Sequence, residues 1–160
     1  MTSHDSQPTS KLDDADASPW AGDPYFGETV TLLRSVRDHD FETLAELCDD
    51  DFGIVDLDQA GGNVMVRTRQ DWEEWFLRLF GELDAASATT DSEIVNYGAV
   101  SGADLGFSVV EFRQSLSVGE HTGLFDCVAT VVWKLTSNGW KEARWHVSLL
   151  SADIPDALAP

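Results

Sequence analysis

The apolar residues of this chain change their spacing once, and that change limits the possible folds more than any other feature. Before residue 92 they mostly recur at helical intervals, whereas from Ser92 onward they follow the two-residue period of strands. Turn-forming residues divide the second half into four strands, predicted at 93–100, 105–118, 121–136 and 140–152. Helices that precede an antiparallel meander predict an α+β fold in which the helices cover one face of the sheet.

Three helices are predicted ahead of the meander. Asp23 and Pro24 suit the start of the first helix, and Asp40 can cap a short second one. Thr68 and Asp71 have the spacing of a capping box for the third helix. The wide apolar face of that third helix consists of Trp72, Trp75, Phe76, Leu79, Phe80 and Leu83.

A short hairpin and two tails complete the predicted organisation. The hairpin has strands at 52–58 and 63–67, joined by a turn at 59–62. Residues 1–22 are polar and acidic and are predicted to be a disordered tail, although Trp20 is a candidate to dock on the domain. The domain spans 23–153, and 154–160 form a short C-terminal tail.

The formal net charge of −19 argues against two classes of partner. Nucleic acid requires a basic surface, and an anionic membrane surface would repel this protein. No basic start followed by an apolar stretch is visible at the N-terminus, so we expect a cytoplasmic protein. Cys48 and Cys127 are far apart and have no metal-ligand spacing, which favours buried thiols over a disulfide or a zinc site.

Three passages resemble the nuclear transport factor 2-like superfamily, which includes SnoaL-like polyketide cyclases, ketosteroid isomerases and the association domain of calcium/calmodulin-dependent protein kinase II. The first passage is 40–52, with its short helix and Asp51-Phe52. The second is Val55-Asp56 before the Gly61-Gly62 turn and the helix start at 67–76. The third is 138–148, which has a Trp after the turn and an aromatic-His-x-Ser ending.

This resemblance covers roughly residues 24 to 152 and implies an architecture as well as a kind of activity. The fold would be three N-terminal helices packed on a strongly curved antiparallel sheet, forming a cone with an internal pocket. The protein would bind a small apolar ligand without a cofactor or metal, and it would pair with a second copy through the outer face of the sheet. Because many functions are grafted on this fold, the resemblance predicts fold better than activity.

Asp56 and His146 are the candidate catalytic residues that the resemblance implies. A carboxylate near the first hairpin removes a proton beside a carbonyl in ketosteroid isomerase-like members, so Asp56 would be the base. His146 would be its acid/base partner or a donor to a ligand oxygen. A solvated carboxylate at the strand end is favoured for Asp56, because a lone carboxylate is a weak signal of a site. The resemblance favours a structural role for His146, since this histidine often belongs to the sheet or dimer face in the superfamily.

The strand register around Asn138-Gly139 decides which residues of the last strand face the pocket. A two-residue turn formed by this pair would join Ser137 to Trp140 and place His146 opposite Val131. One additional residue would instead send Trp145 inward, because a shift of one residue reverses the faces of a strand.

The remaining candidate ligand contacts are aromatic or charged. Glu111 and Arg113 lie on one face of a long strand, either inside the cone as a buried charged pair or outside as a cross-strand charge ladder, and the outer position is favoured. The other candidate contacts are Tyr25, Trp72, Phe76, Tyr97 and Trp145. Aromatic residues on a helix more often form core, and a buried tyrosine more often bonds to nearby backbone.

Two functions follow from these residues. The first is a cofactor-free isomerase, cyclase or dehydratase that acts by acid/base chemistry on a small apolar carbonyl compound. The second is a non-catalytic ligand-binding or assembly module, in which the long strands form a dimer face. The polarity of the pocket distinguishes them, because acid/base catalysis requires at least two convergent polar groups.

Overall fold

The computed structural model describes residues 10–57 and 62–159, with backbone alone at 53–57. The predicted turn at 59–62 lies largely outside the described residues, as do the first nine residues of the predicted tail. In chain order the elements are a 3-10 helix (Lys11–Ala17), α1 (Phe26–Arg37), α2 (Phe41–Leu47), β1 (Cys48–Leu57), β2 (Asn63–Val66), α3 (Arg69–Ala85), β3 (Thr89–Val100), β4 (Leu105–Val118), β5 (His121–Thr136), β6 (Gly139–Asp153) and a 3-10 turn (Asp156–Leu158). This order confirms the predicted α+β class.

One sheet contains the six described strands, in the order β2-β1-β6-β5-β4-β3. The meander from β3 to β6 is antiparallel, as predicted, but β1 and β6 run parallel because the last strand returns beside the first hairpin. The helices lie against one face of this sheet, and the core between them is rich in aromatic side chains. β1 and β6 therefore meet in the middle of the sheet, where residues from two distant parts of the sequence become neighbours.

The β5–β6 hairpin settles the register that the sequence left open. Thr136 pairs with Gly139, whose φ of +96° suits a glycine, so the turn residues are Ser137 and Asn138. Trp140 therefore pairs with Leu135 and not with Ser137. An irregularity between Val132 and Trp133 then moves the pairing by one residue, which puts Trp145 opposite Val131 and turns its side chain inward.

The first 3-10 helix lies within the segment that the sequence predicted to be a disordered tail. Residues 10–22 are folded onto the domain, where Leu12 and Ala15 are buried and Arg34 donates to the backbone oxygen of Leu12 at 2.6 Å. The two apolar residues are three apart, which places them on one face of a helix with three residues per turn. The prediction used the acidic composition of residues 1–22 as a whole, which hid this short amphipathic segment.

The start of α1 also differs from the prediction, whereas the other two caps are confirmed. Asp40 accepts from the Thr43 backbone at 3.1 Å, and Thr68 accepts from the Asp71 backbone at the same distance. α1, however, begins after Tyr25, which has a left-handed φ of 60° and no side-chain cap. The ring of Tyr25 is buried against Trp133, so tertiary packing and not a capping residue fixes this helix end.

Candidate functional site

A column of aromatic rings runs along the inner face of α3. Trp72, Phe76 and Phe80 are spaced four residues apart, so they stack along one face of the helix. Their ring centres are 5.1 Å and 5.5 Å apart in sequence order, and all three side chains are buried. From the sheet, Trp145 stacks on Phe76 at 6.3 Å. The predicted apolar walls Trp72, Phe76 and Trp145 are thus brought together.

Two indole groups in this interior have unpaired donors. The Nε1 atoms of Trp72 and Trp145 are both buried, and neither has a hydrogen-bond acceptor among the residues that the structure describes. Both rings contact Phe76, so the two donors flank the middle of the aromatic column. In contrast, the buried Nε1 of Trp133 donates to the Ser108 hydroxyl at 2.9 Å.

Tyr25 and Tyr97 are buried beside this interior, but their hydroxyls are already bonded. The Tyr97 hydroxyl donates to the backbone oxygen of Pro24 at 2.6 Å, and burial raises the pKa of this phenol. The Tyr25 hydroxyl lies 3.0 Å from the Ser101 hydroxyl. A side chain at Gly106 would have its Cβ 2.1 Å from the Tyr25 oxygen, so glycine makes room for this phenol.

Three predicted site residues lie on the outer face of the sheet. Arg113 is exposed and pairs with Asp126 on β5 at 2.7 Å, which raises the pKa of Arg113 and lowers that of Asp126. Glu111 is two residues away on the same face, so the charges form the outer cross-strand ladder that the sequence favoured. His146 is exposed opposite Thr130 and does not reach the interior.

Asp56 is placed only by its backbone. It pairs with Val64 across the first hairpin, and its neighbour Val55 lies opposite His146 on β6. Its side chain lies outside the described part of the structure. Its role as a base therefore stays a prediction.

Sequence reasoning missed Glu142, the most unusual polar group of the interior. Glu142 has 0% exposure and lies between Cys48 on β1 and Trp133 on β5. Neither carboxyl oxygen has a hydrogen-bond partner in the described ranges. Burial raises the pKa of Glu142 to about 8, and the Arg69 guanidinium offsets this only in part. The carboxyl is therefore mostly protonated at neutral pH.

The register irregularity explains why Glu142 was overlooked. Regular alternation counted back from the inward Trp145 would put Ala143 inward and Glu142 outward. The pairing moves by one residue between these positions, so both Glu142 and Ala143 are buried. Only the bulge, which carries no reliable sequence signal, turns this carboxyl into the core.

Arg69 and a surface cleft lie next to Glu142. The cleft has a volume of about 550 Å³ and is formed by the end of α2, the start of α3 and the β5–β6 hairpin. Cys48 and Arg69 line it, and both interact with the Glu142 carboxyl. Arg69 is itself fixed, because it donates to the backbone oxygens of Ala45 and Cys48 at 3.0 Å and lies 4.8 Å over the Trp72 ring.

Comparisons with known proteins identify the family. The profile of the SnoaL-like domain matches residues 30–152. The chain belongs to the SnoaL-like family. This confirms the nuclear transport factor 2-like resemblance of the sequence. No curated protein matches this chain in sequence.

Several solved structures share the fold of this SnoaL-like chain at low sequence identity. A protein from Streptomyces avermitilis, described as a dehydratase of the NTF2-like family, has a TM-score of 0.66 at 16% identity over 77% of this chain and 91% of its own. A hexachlorocyclohexane dehydrochlorinase has a TM-score of 0.62 at 16% identity over 79% and 83%. A protein from Thiobacillus denitrificans, described as a kinase association domain, has 0.60 at 17% identity over 80% and 95%. These similarities establish the cone fold.

The described helices also bear on membrane insertion. Among residues 10–57 and 62–159, no helix combines the length and the apolar character needed to cross a bilayer.

Proposed function

We propose that this SnoaL-like chain binds a small apolar molecule and carries out cofactor-free acid/base chemistry on a carbonyl compound, as an isomerase, cyclase or dehydratase. The observation that carries the proposal is Glu142, a fully buried carboxyl with no hydrogen-bond partner in the described part of the chain. Unpaired carboxyl groups are rare in protein cores because their desolvation is costly. A ligand oxygen would supply the missing partner.

The chemistry of Glu142 suits a carbonyl ligand. With a pKa of about 8, the neutral acid can donate a hydrogen bond to a carbonyl oxygen at neutral pH. A donor with a pKa near the working pH also suits general acid catalysis. The unpaired indole donors of Trp72 and Trp145 favour the same kind of ligand, since a carbonyl oxygen accepts such bonds.

The relatives support the same kind of reaction. The dehydratase and the dehydrochlorinase are named for eliminations, in which a base removes a proton while a leaving group departs. For this chain, Asp56 is the base that the family resemblance proposes. His146 is exposed on the outer face of the sheet, away from the interior. Glu142 is therefore the acid in place of His146.

A binding comparison tests the role of Glu142. Tetralone and tetralin share a ring skeleton and differ mainly in one carbonyl oxygen. We expect the wild type to bind tetralone about tenfold more tightly than tetralin by tryptophan fluorescence, because one hydrogen bond is gained. Glu142→Leu should abolish this preference, and raising the pH above 8 should weaken it as the donor ionises. Equal affinities for the two compounds, or binding of neither, would contradict the proposal.

Deuterium exchange tests the predicted base. If Asp56 removes the proton beside the carbonyl, the wild type should accelerate exchange at that carbon of tetralone in heavy water. Asp56→Asn should lower the catalysed rate at least ~100-fold. A rate unchanged in folded Asp56→Asn would exclude Asp56 while leaving the binding role of Glu142 intact.

Dimerisation through the outer sheet face is a second candidate role, and an exposed apolar patch favours it. Phe107 is 42% exposed on β4 and pairs with the half-buried Val132 on β5. We propose that a second copy covers this patch. Light scattering should give a dimer for the wild type and a monomer for Phe107→Lys, whereas a wild-type monomer at high concentration would exclude this role.

A further inference from the structure

The surface cleft beside Glu142 has the size of a small-molecule site. Its volume of about 550 Å³ is within the usual range of ligand pockets, which is roughly 300–1,000 Å³. The end of α2, the start of β1, the first residue of α3 and the β5–β6 hairpin form its walls. Arg69 separates the cleft from the aromatic column, since this residue lines the cleft and its guanidinium lies 4.8 Å over the Trp72 ring. The cleft is therefore a site distinct from the interior.

Both basic side chains that line the cleft, Arg69 and Lys141, are already engaged. Arg69 pairs with Glu73 at 3.0 Å and donates to two backbone oxygens at the junction of α2 and β1. Lys141 donates to the backbone oxygen of Glu46. These bonds satisfy carbonyl groups at the C-terminal end of α2, which have no partner within the helix. Both cations therefore stabilise a helix end, and neither needs an anionic ligand.

Two of the three carboxylates that line the cleft lack such a partner. The carboxylate of Asp49 pairs with Lys134 at 3.1 Å. In contrast, no ion pair or hydrogen bond from residues 10–57 or 62–159 engages the carboxylates of Glu46 and Asp50. Because Glu46 belongs to α2 and Asp50 to β1, these two charges come from different walls of the cleft. This arrangement favours a ligand with two positive groups.

The buried carboxyl of Glu142 lies directly behind the cleft. It is 0% exposed, and neither of its oxygens has a hydrogen-bond partner within the described ranges. The two side chains with which it interacts, Cys48 and Arg69, both line the cleft. Burial raises the pKa of the Cys48 thiol, and the nearby Glu142 carboxyl raises it further. A positive charge in the cleft therefore acts on Glu142 across these two side chains.

We propose that this cleft binds a small aliphatic diamine in its doubly protonated form. One ammonium group pairs with Glu46 and the other with Asp50, and the side-chain oxygens of 136–138 on the hairpin accept the remaining N–H groups. The net charge of −19 attracts such a cation to the protein. This site goes beyond the proposed function and does not depend on it.

Binding of the diamine changes the protonation of Glu142. A nearby positive charge favours the ionised form of a carboxyl group, so an occupied cleft lowers the pKa of Glu142 from its raised value of about 8. Part of the Glu142 proton is then released to the solvent at neutral pH. This release distinguishes the cleft from a patch of surface charge, which has no buried acid behind it.

The binding test uses 1,5-diaminopentane with the full chain at about 150 mM salt, which screens long-range attraction by the net charge. Glu46→Gln combined with Asp50→Asn should weaken binding about tenfold, as expected for the loss of two ion pairs. The matched control combines Asp16→Asn with Glu120→Gln, which removes two other exposed carboxylates and should keep the wild-type affinity. The wild type should bind 1-aminopentane, which has one ammonium group, more weakly than the diamine.

Calorimetry of the wild type in buffers of different ionisation enthalpy measures the proton release directly. At pH 7 the diamine should release a fraction of one proton, whereas Glu142→Gln should bind it without release. Amide NMR of the wild type, which is independent of folding in the variants, should show shifts concentrated at 45–50 and 136–141.

Three results would overturn the proposal. They are no binding of the diamine by the wild type, the same change in affinity in both pairs of variants, and binding without proton release. Tetralone binding is measured separately and decides the proposed function alone, because that ligand is assigned to the aromatic interior and not to the cleft.

Discussion

The two ends of α3 solve the problem of a buried titratable group in opposite ways. At the first end, Glu142 has no described hydrogen-bond partner, and burial keeps it protonated with a pKa of about 8. At the last turn, His39 has one carboxylate partner 2.6 Å away and an unpaired second nitrogen. The first group is suited to donate a hydrogen bond, whereas the second is held at one ring nitrogen by the Asp84 carboxylate.

The largest expected effect comes from removing the ring that joins the two ends. Phe76 contacts Trp72, Phe80 and Trp145 and is almost fully buried. Phe76→Ala should lower the free energy of unfolding by about 3–5 kcal/mol, measured by urea denaturation. Leu77→Ala, at a 54% exposed position on the same helix, is the control and should change it by less than about 0.5 kcal/mol. Similar effects at both positions would mean that the column is not the centre of the core.

The next effect separates the two ends by pH. The folded-state pKa of Glu142, about 8, lies above the ordinary value of 4.5, so the folded protein binds this proton more tightly than the unfolded chain does. The stability from this group is complete below about pH 4.5 and is lost as the pH rises through 8. The stability of Glu142→Gln relative to wild type should therefore rise by about 4 kcal/mol between about pH 5 and pH 9. A difference in stability between variant and wild type that stays constant from pH 5 to pH 9 would refute a buried, neutral Glu142.

Arg69 sharpens the same contrast by a smaller amount. Its charge lowers the pKa of Glu142, and its guanidinium caps the last carbonyls of α2. Arg69→Gln should raise the pKa of Glu142 further and lower the stability by about 1 kcal/mol through the lost caps. Carboxyl-carbon NMR of Glu142 would measure the shift, and an unmoved titration would show that the two groups do not interact.

The smallest effect is expected at the other end. The Asp84 side chain is 68% exposed, so its bond to His39 contributes little to folding. Asp84→Asn should lower the free energy of unfolding by less than about 1 kcal/mol, measured by urea denaturation. A loss of several kcal/mol would indicate that the pair is mainly a structural link between α3 and the α1–α2 turn.

The local features of the fold could be predicted from the sequence. The order of the elements and the caps at Asp40 and Thr68 were predictable, because period and capping are local properties of the chain. The inward positions of Trp72 and Phe76 followed from the same helical period.

The two polar centres could not be predicted, because each depends on contacts between distant residues. Glu142 faces inward because of a bulge in β6. Its neighbour Cys48 lies on β1, the first strand along the chain, whereas β6 is the last. His39 and Asp84 are separated by 45 positions and meet only when α1, α2 and α3 are packed. The predicted start of α1 at Asp23 was wrong for the same reason, since the burial of Tyr25 overrides the local capping signal.

The folded segment at 10–22 affects how this protein behaves when it is shortened. β3 is the last strand of the sheet, and Ser10 and Lys11 reach its residues Asp91 and Glu93. Exposed edge strands are templates for pairing with other chains. A protease cut near Gly22 would therefore uncover part of this edge together with the apolar surface under Leu12. Such a product should form soluble oligomers or fibres more readily than the intact chain, which makes the N-terminal boundary important for anyone who purifies this domain.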